Sequence, residues 1–283
     1  MKLNKRFPGK RVIITGAGSG LGRALALEFA KMKWNVIIAE IDKDRARETA
    51  VQVKELGGNA IIAHCDVTKP ADLDEIIKAA QEELGGVDIL INNAGVAAGG
   101  FMEKISLKDW NWIININLKS VIHGCRSVIP LFKKQQSGYI VNVASNAGMA
   151  CLPEMCSYNT TKAAVIAISE TLRTELSGFG IGVSVVCPSF FKTNLMDQFH
   201  TPDERQRKLA EKFFSKSNIS AEVIARYIIK SISRNRMYII PQIDGKFMWW
   251  AKRHFTWLYF KIAAIIYKKG LYYKFLGINP DEL

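Results

Sequence analysis

The chain has 283 residues, 48% of them hydrophobic, and no low-complexity tract or internal repeat, which excludes a disordered or fibrous protein and allows one large domain. Its 39 Lys and Arg against 26 Asp and Glu leave a net charge of +13, a balance that fits a nucleic-acid binder, a protein of anionic membrane surfaces or a basic enzyme. The five cysteines (Cys65, Cys125, Cys151, Cys156, Cys187) are odd in number and lack Cys-x-x-Cys, which argues against a disulfide framework and for a reducing, cytoplasmic compartment with the thiols as small core residues.

The N-terminus is basic, and its first apolar run is too short for a signal-peptide core. From residue 11 two patterns alternate. Short β-rich apolar runs lie at 11–15, 35–40, 59–64 and 87–91, and stretches with helical spacing lie between them at 20–32, 43–56 and 70–84. Thr68 is the expected cap of the third helix, with Pro70 near its start. The alternation continues with a helix near 107–136, a strand at 138–144, a helix at 155–178, a strand at 181–187, a helix at about 220–233 and a last strand at 237–241. Strand–helix–strand order predicts an α/β fold, a doubly wound, Rossmann-like parallel sheet of seven strands. No linker interrupts the series, so residues 1–243 read as one domain and 244–283 as a C-terminal helical extension. Residues 192–218 fit the alternation poorly; polar and charged after a strand end, they suit a lid over a site or a surface insertion.

Several motifs fall at strand ends. "TGAGSGLG" (15–22) follows the first strand and opens the first helix, where glycines let the backbone approach a pyrophosphate. Its spacing is Gly16-x-x-x-Gly20-x-Gly22 rather than Gly-x-Gly-x-x-Gly. Glu40 ends the second strand, where a carboxylate accepts hydrogen bonds from ribose hydroxyls and repels a 2′-phosphate. Asp66 follows the third strand and "NNAG" (92–95) the fourth, at the carboxyl ends where an open α/β sheet binds ligands. Tyr158 and Lys162 stand four apart, so on a helix they share a face. A phenol has a pKa near ~10, and a neighbouring ammonium lowers it toward the range of a useful acid/base catalyst. The four histidines (His64, His123, His200, His254) show no metal-ligand spacing, and no metal is expected.

Together "TGAGSGLG", "CDV" (65–67), "NNAG", Asn117 in "NINLKS", Ser145 in "NVASNAG" and Tyr158-x-x-x-Lys162 resemble, in order and spacing, the classical short-chain dehydrogenases/reductases over roughly residues 10–193. The resemblance implies Tyr158 as general acid/base and Lys162 as the residue that lowers its pKa and bonds the nicotinamide ribose. It implies Ser145 on the substrate oxygen, and Asn117 holding a water that relays protons from Lys162. It implies cofactor contacts from Gly16, Ser19, Gly20, Leu21, Gly22, Glu40, Asp66, Val67, Asn93, Ala94, Gly95, Tyr158, Lys162, Pro188 and Thr193. Glu40, and Ser19 where NADP users often carry Arg or Lys, favour NAD, although Lys43, Arg45 and Arg47 follow Glu40 and are near enough to reach a phosphate. The family's usual Pro-Gly after the sixth strand is Pro188-Ser189 here. Oligomers of the family, dimers or tetramers, form through the helices that carry Asn117 and Tyr158.

The extension begins "GKFMWWAKRHFTWLYFKIAAIIYKK" (245–269). Lysines and Arg253 interrupt every apolar run, so no ~20-residue membrane span is present. On one continuous helix Phe247, Ala251, Phe255, Leu258, Ile262 and Ile265 form one face, a composition suited to a membrane interface. From Arg234 onward nine Lys/Arg stand against three acids. The expectation is peripheral membrane contact through 244–275; packing on the protein's own core or on a second subunit fits the same composition, and nothing else resembles a nucleic-acid module. The apolar tail and "GMACLPEM" (148–155) suggest a lipophilic alcohol or carbonyl substrate of steroid, retinoid, long-chain or isoprenoid type. The alternatives are an NADPH-dependent ketoacyl-type reductase and a non-catalytic, membrane-bound nucleotide sensor. A sensor would not need Asn117, Ser145, Tyr158 and Lys162 together.

Overall fold

The computed structural model describes residues 2–271. It contains α1 (Lys2–Arg6), β1 (Arg11–Thr15), α2 (Gly20–Ala30), β2 (Asn35–Glu40), α3 (Lys43–Glu55), β3 (Asn59–His64), α4 (Pro70–Leu84) and β4 (Ile89–Asn92). After these come α5 (Leu107–Ile114), a π-helical turn (Asn115–Lys119), α6 (Ser120–Gln135), β5 (Gly138–Val143), α7 (Asn146–Ala150), α8 (Cys156–Glu175) and β6 (Ile181–Val186). A 3₁₀ turn (Asn194–Gln198), α9 (Glu204–Lys216), α10 (Ala221–Ile232), β7 (Tyr238–Ile239), α11 (Ile243–His254) and α12 (Thr256–Lys268) complete the described chain.

All seven strands join one parallel sheet in the order β3-β2-β1-β4-β5-β6-β7, as the alternation predicts. The central strands are apolar along their whole length because helices cover both faces. One face is packed by α2, α3 and α10 through Leu25, Phe29, Val53 and Ile228. The other is packed by α4, α6 and α8 through Leu73, Val121, Val128 and Val165. The order reverses between β1 and β4, and the chain connections that depart there toward opposite faces leave a crevice at the strand carboxyl ends.

Four local expectations are corrected. Thr68 does not cap α4: its hydroxyl and N–H both donate to Asp66 Oδ1, at 2.7 and 3.0 Å, so a nearer carboxylate takes it away from the helix end. The long helix over 107–136 is interrupted by the π turn at Asn115–Lys119. Cys65, Cys125 and Cys187 are buried, but Cys151 and Cys156 are exposed, because they flank the loop before α8 instead of the sheet. The tail is not one helix: it breaks at Phe255 (φ −131°, ψ 49°), so the single face drawn through Phe247 to Ile265 does not run on. The basic N-terminus also has a packing role, since α1 and the residue after it bury Leu3 and Phe7, and Asn4 Oδ1 accepts from the Trp34 indole at 2.9 Å.

Candidate active site

The glycine loop closes on the end of β4. Gly16 sits at φ +63°, a left-handed conformation that a Cβ disfavours. Asn93 Nδ2 donates to the Thr15 and Gly16 carbonyls at 2.9 and 3.2 Å, and the Thr15 hydroxyl accepts from the N–H groups of Asn93 and Ala94, both at 3.0 Å. The Asn93 side chain is therefore occupied in joining two strand ends. Gly22 likewise serves packing: a Cβ there would lie 2.1 Å from the Gly16 carbonyl oxygen. A Cβ at Gly20 would fall 2.9 Å from the Thr193 hydroxyl, so the glycine keeps a path open between the α2 N-terminus and the loop after β6.

Glu40 is held rigidly. Its Oε2 accepts from the Gly18 N–H at 2.8 Å, and its Oε1 from the N–H groups of Ile41 and Asp42 at 3.0 and 3.2 Å. Arg45 lines the same cleft but is engaged by Asp42 at 3.4 Å and Asp197 at 3.2 Å. Arg47 pairs with Asp44 at 2.9 Å, and neither it nor Lys43 lines the cleft. Hydrogen bonds from Thr68 hold the Asp66 carboxyl below its ordinary pKa.

Further along the cleft, α8 presents Tyr158 and Lys162 one turn apart, both buried. Lys162 Nζ donates to the Val143 carbonyl at 3.0 Å and lies 5.7 Å from the centroid of the Tyr158 ring. Burial lowers the lysine to a pKa of about 8. It raises the Tyr158 phenol to about 12, with the Ser145 hydroxyl alone pulling the other way. The expectation that Lys162 depresses the phenol's pKa is thus corrected for this state: the ammonium is turned to Val143, and desolvation outweighs other influences on the phenol. Ser145 caps α7, accepting from the Ala147 N–H at 3.1 Å.

Asn117 is fully buried on the π turn. Its Oδ1 accepts from Val96 N at 2.8 Å and its Nδ2 donates to Val96 O at 2.9 Å. π-bulges concentrate at functional sites, and this one brings Asn117 Oδ1 to the same side of Gly95 as Lys162 Nζ, 3.1 and 3.3 Å from where a Cβ would stand. A larger residue at 95 would displace both.

One cleft is therefore lined by Gly16, Ser19, Gly20, Leu21, Glu40, Asp66, Val67, Asn93, Ala94, Gly95, Tyr158, Lys162, Pro188 and Thr193. Gly22, Asn117 and Ser145 stand behind or beside it. The sequence reading missed Thr15, and missed Arg23, whose guanidinium holds the Gly18 carbonyl and Glu48. It also missed Phe191, Leu195 and Asp197. Thr15 opens the glycine motif and Arg23 follows it, so both were visible there. Leu195 and Asp197 lie in the irregular 192–218 segment, where no periodicity marks them. That segment lines the cleft, as a lid would, and pairs through a bridge between Ala98 and His200.

Ser189, which replaces the usual glycine, has partners of its own. Its N–H donates to Gln242 Oε1 at 3.0 Å and its hydroxyl to Asp244 Oδ2 at 2.6 Å, tying the loop after β6 to the start of α11.

A glycine loop at a helix N-terminus, an acid at the end of β2 and a buried Tyr/Lys pair beside the half-buried Ser145 define a dinucleotide-dependent oxidoreductase site. The model of the short chain dehydrogenase family matches residues 10–204, and the chain belongs to that family. It is 31% identical over 257 residues to a "CLA biosynthesis dehydrogenase/reductase" of Lactiplantibacillus plantarum, covering 83% of this chain and 89% of that one. The solved structure of a short-chain dehydrogenase/reductase from Burkholderia phymatum in complex with NAD superposes with a TM-score of 0.83 at 31% identity, covering 88% of this chain and 94% of that one. A short-chain dehydrogenase from Sphingobium yanoikuyae in complex with NADPH gives a TM-score of 0.72 at 27% identity, covering 82% and 88%.

Proposed function

We propose that this oxidoreductase interconverts a lipophilic alcohol and its ketone or aldehyde, with NAD(H) preferred and Tyr158 as general acid/base. The observation that carries the reading is the surroundings of Tyr158. The phenol is buried beside Ser145 in an apolar cluster of Val96, Ala97, Ala147 and Phe199, against which Met155, Leu195 and Met196 also pack. An apolar wall around one proton donor suits a substrate with a single polar oxygen.

The cleft residues fit a nicotinamide nucleotide: Gly16 and Gly20 clear a path for a pyrophosphate at the α2 N-terminus, and Glu40 faces the ribose position. Such a nucleotide supplies the hydride donor or acceptor. Ser145 and Tyr158 hold the substrate oxygen between two hydroxyls. In reduction Tyr158 gives its proton to that oxygen; in oxidation it removes the proton. A phenol at about 12 is protonated at neutral pH, and a lysine at about 8 is still mostly an ammonium. The resting pair is therefore set to donate. Carbonyl reduction is expected to run at neutral pH and slow as pH rises, while alcohol oxidation accelerates toward alkaline pH. Initial rates in both directions across pH test this, and a flat profile for oxidation would contradict it.

The NAD preference rests on Glu40 being fixed by three N–H groups and on Arg45 being engaged by two carboxylates. Glu40→Gln removes the charge while keeping an acceptor for Gly18. Its ratio of kcat/KM for NADH over NADPH is expected to fall by about tenfold, the worth of roughly 1.4 kcal/mol. An unchanged ratio would place the discrimination elsewhere. The substrate class is tested by following NADH oxidation with a panel of long-chain, steroid-type and small polar ketones. Turnover confined to small polar ketones would overturn the lipophilic assignment.

A further inference from the structure

Helix α11 packs Trp249 on the core, but it and α12 leave most of their other large apolar residues exposed. On α12 only Tyr259, Ala263 and Tyr267, at spacings of four, turn toward the body of the protein, along with the helix's own neighbours. The Tyr259 hydroxyl donates to the Ala150 carbonyl at 3.0 Å, and the Tyr267 hydroxyl donates to Glu154 Oε1 at 2.8 Å. Around the rest of the helix Trp257, Leu258, Phe260, Ile262, Ile265 and Ile266 are all exposed, Trp257 at 72%, and no residue of α12 is buried. Phe247, Trp250 and Phe255 extend this surface onto α11. A helix apolar nearly all round needs an apolar medium, and a monomer rarely leaves so large a patch in water.

Charge selects the occupant. Between Gly245 and Leu271 there are six Lys/Arg (Lys246, Lys252, Arg253, Lys261, Lys268, Lys269) and no acid. A second copy of the same face would bring six more cations against them, which opposes self-association. Lys261 Nζ lies 4.7 Å from the ring centroid of the exposed Trp257, so a long cationic side chain rims the aromatic ring as it does at a lipid headgroup boundary. Among the described residues no helix is long and apolar enough to cross a membrane. With 13 residues α12 spans only ~20 Å against a ~30 Å hydrocarbon core.

We infer that α11 and α12 form a docking face for an anionic lipid bilayer, lying in its interface with Trp257, Phe260 and Ile265 inserted. The face is joined to the segment between Ser145 and Tyr158. Besides the two tyrosine bonds, Lys252 Nζ donates to the Met149 carbonyl at 2.7 Å. Glu154 in turn binds Arg205 and Gln206 of α9 at 2.6 and 2.7 Å, which links the docking helices to the lid. Docking would thus set the substrate side of the cleft against the lipid; this last step alone rests on the dehydrogenase reading.

The test is flotation of the full chain with phosphatidylcholine vesicles, with and without phosphatidylserine. The protein is expected to float with the phosphatidylserine vesicles and to be released by salt. Trp257→Ser combined with Ile265→Ser should abolish flotation. Lys261→Ala, Lys268→Ala and Lys269→Ala together should weaken it roughly 100-fold, at about fivefold per charge. NADH binding by each variant reports an intact fold. Quenching of wild-type tryptophan by brominated lipid supports insertion without any substitution. A wild-type chain that ignores both vesicles overturns the docking face, as does one that floats as well after both sets of substitutions. So does a concentration-dependent dimer that Trp257→Ser dissolves, which would give the face to a second copy. Loss of ketone turnover with flotation intact would count against the enzyme reading alone.

Discussion

Tyr158→Phe is expected to lower turnover by about 10²–10⁴-fold in both directions while nucleotide affinity changes by no more than a few-fold. The substitution removes one oxygen and keeps the ring that packs against Val96, Ala147 and Phe199, so the fold and the cleft wall survive. The proton must then come from Ser145 or water, and neither sits on α8 with a lysine one turn away. The comparison is kcat with a turned-over ketone beside an NADH fluorescence titration. Full turnover in the variant would end the case for Tyr158 as the proton donor. A parallel loss of NADH affinity would mean that the hydroxyl chiefly positions the nucleotide.

Lys162→Met should have opposite effects on activity and on stability. The amine is fully buried, and its pKa of about 8 against the ordinary 10.5 measures a desolvation cost on the order of 3 kcal/mol, partly offset in the wild type by the bond to Val143. Below pH about 8 both folded and unfolded wild-type chains hold the proton, and the folded chain bears the whole cost. As pH rises from about 8 toward 10.5 the folded chain releases its proton first, so wild-type stability climbs. A methionine of similar length avoids the charge. The nucleotide-free variant is therefore expected to melt higher than wild type at neutral pH, by roughly 2–4 °C for each kcal/mol recovered, with the gap closing toward pH 10. Activity should fall to near that of Tyr158→Phe. A variant that melts lower at pH 7 would show that the Val143 bond outweighs the burial of the charge.

Much of the site could be read before any coordinates. Tyr158 and Lys162 are placed together by the pitch of α8, and Gly16, Gly20, Glu40 and Asp66 by their places at strand ends; both are local properties. The roles of Asn93 and Gly22 were less legible. Each stands at its motif position, but Asn93 is occupied by Thr15 and Gly16, and Gly22 is required by a 2.1 Å approach, because the approach of α2 to the loops after β1 and β4 decides what the motif residues touch. Asn117 is marked by its motif, yet the π turn that carries it has no periodic signature. Its side chain is drawn to both polar atoms of Val96, 21 residues away, and the helix yields a turn to allow it.

By itself the sequence determined the strand count, the parallel alternation, the dehydrogenase chemistry and the composition of the tail. The strand count, the alternation and the tail composition follow from periods of two and 3.6 residues and from the residues themselves, and the dehydrogenase chemistry from the resemblance of the motifs to the short-chain dehydrogenases/reductases. The tertiary structure alone decided that the tail breaks at Phe255, that its tyrosines reach Ala150 and Glu154, and that the N-terminal segment plugs the core with Leu3 and Phe7. It also decided that Arg45 is engaged by Asp197 across the cleft mouth. Each of these joins residues far apart in the chain or depends on which surface covers an apolar face. Periodicity shows that a face is apolar, but only the packed chain shows what meets it.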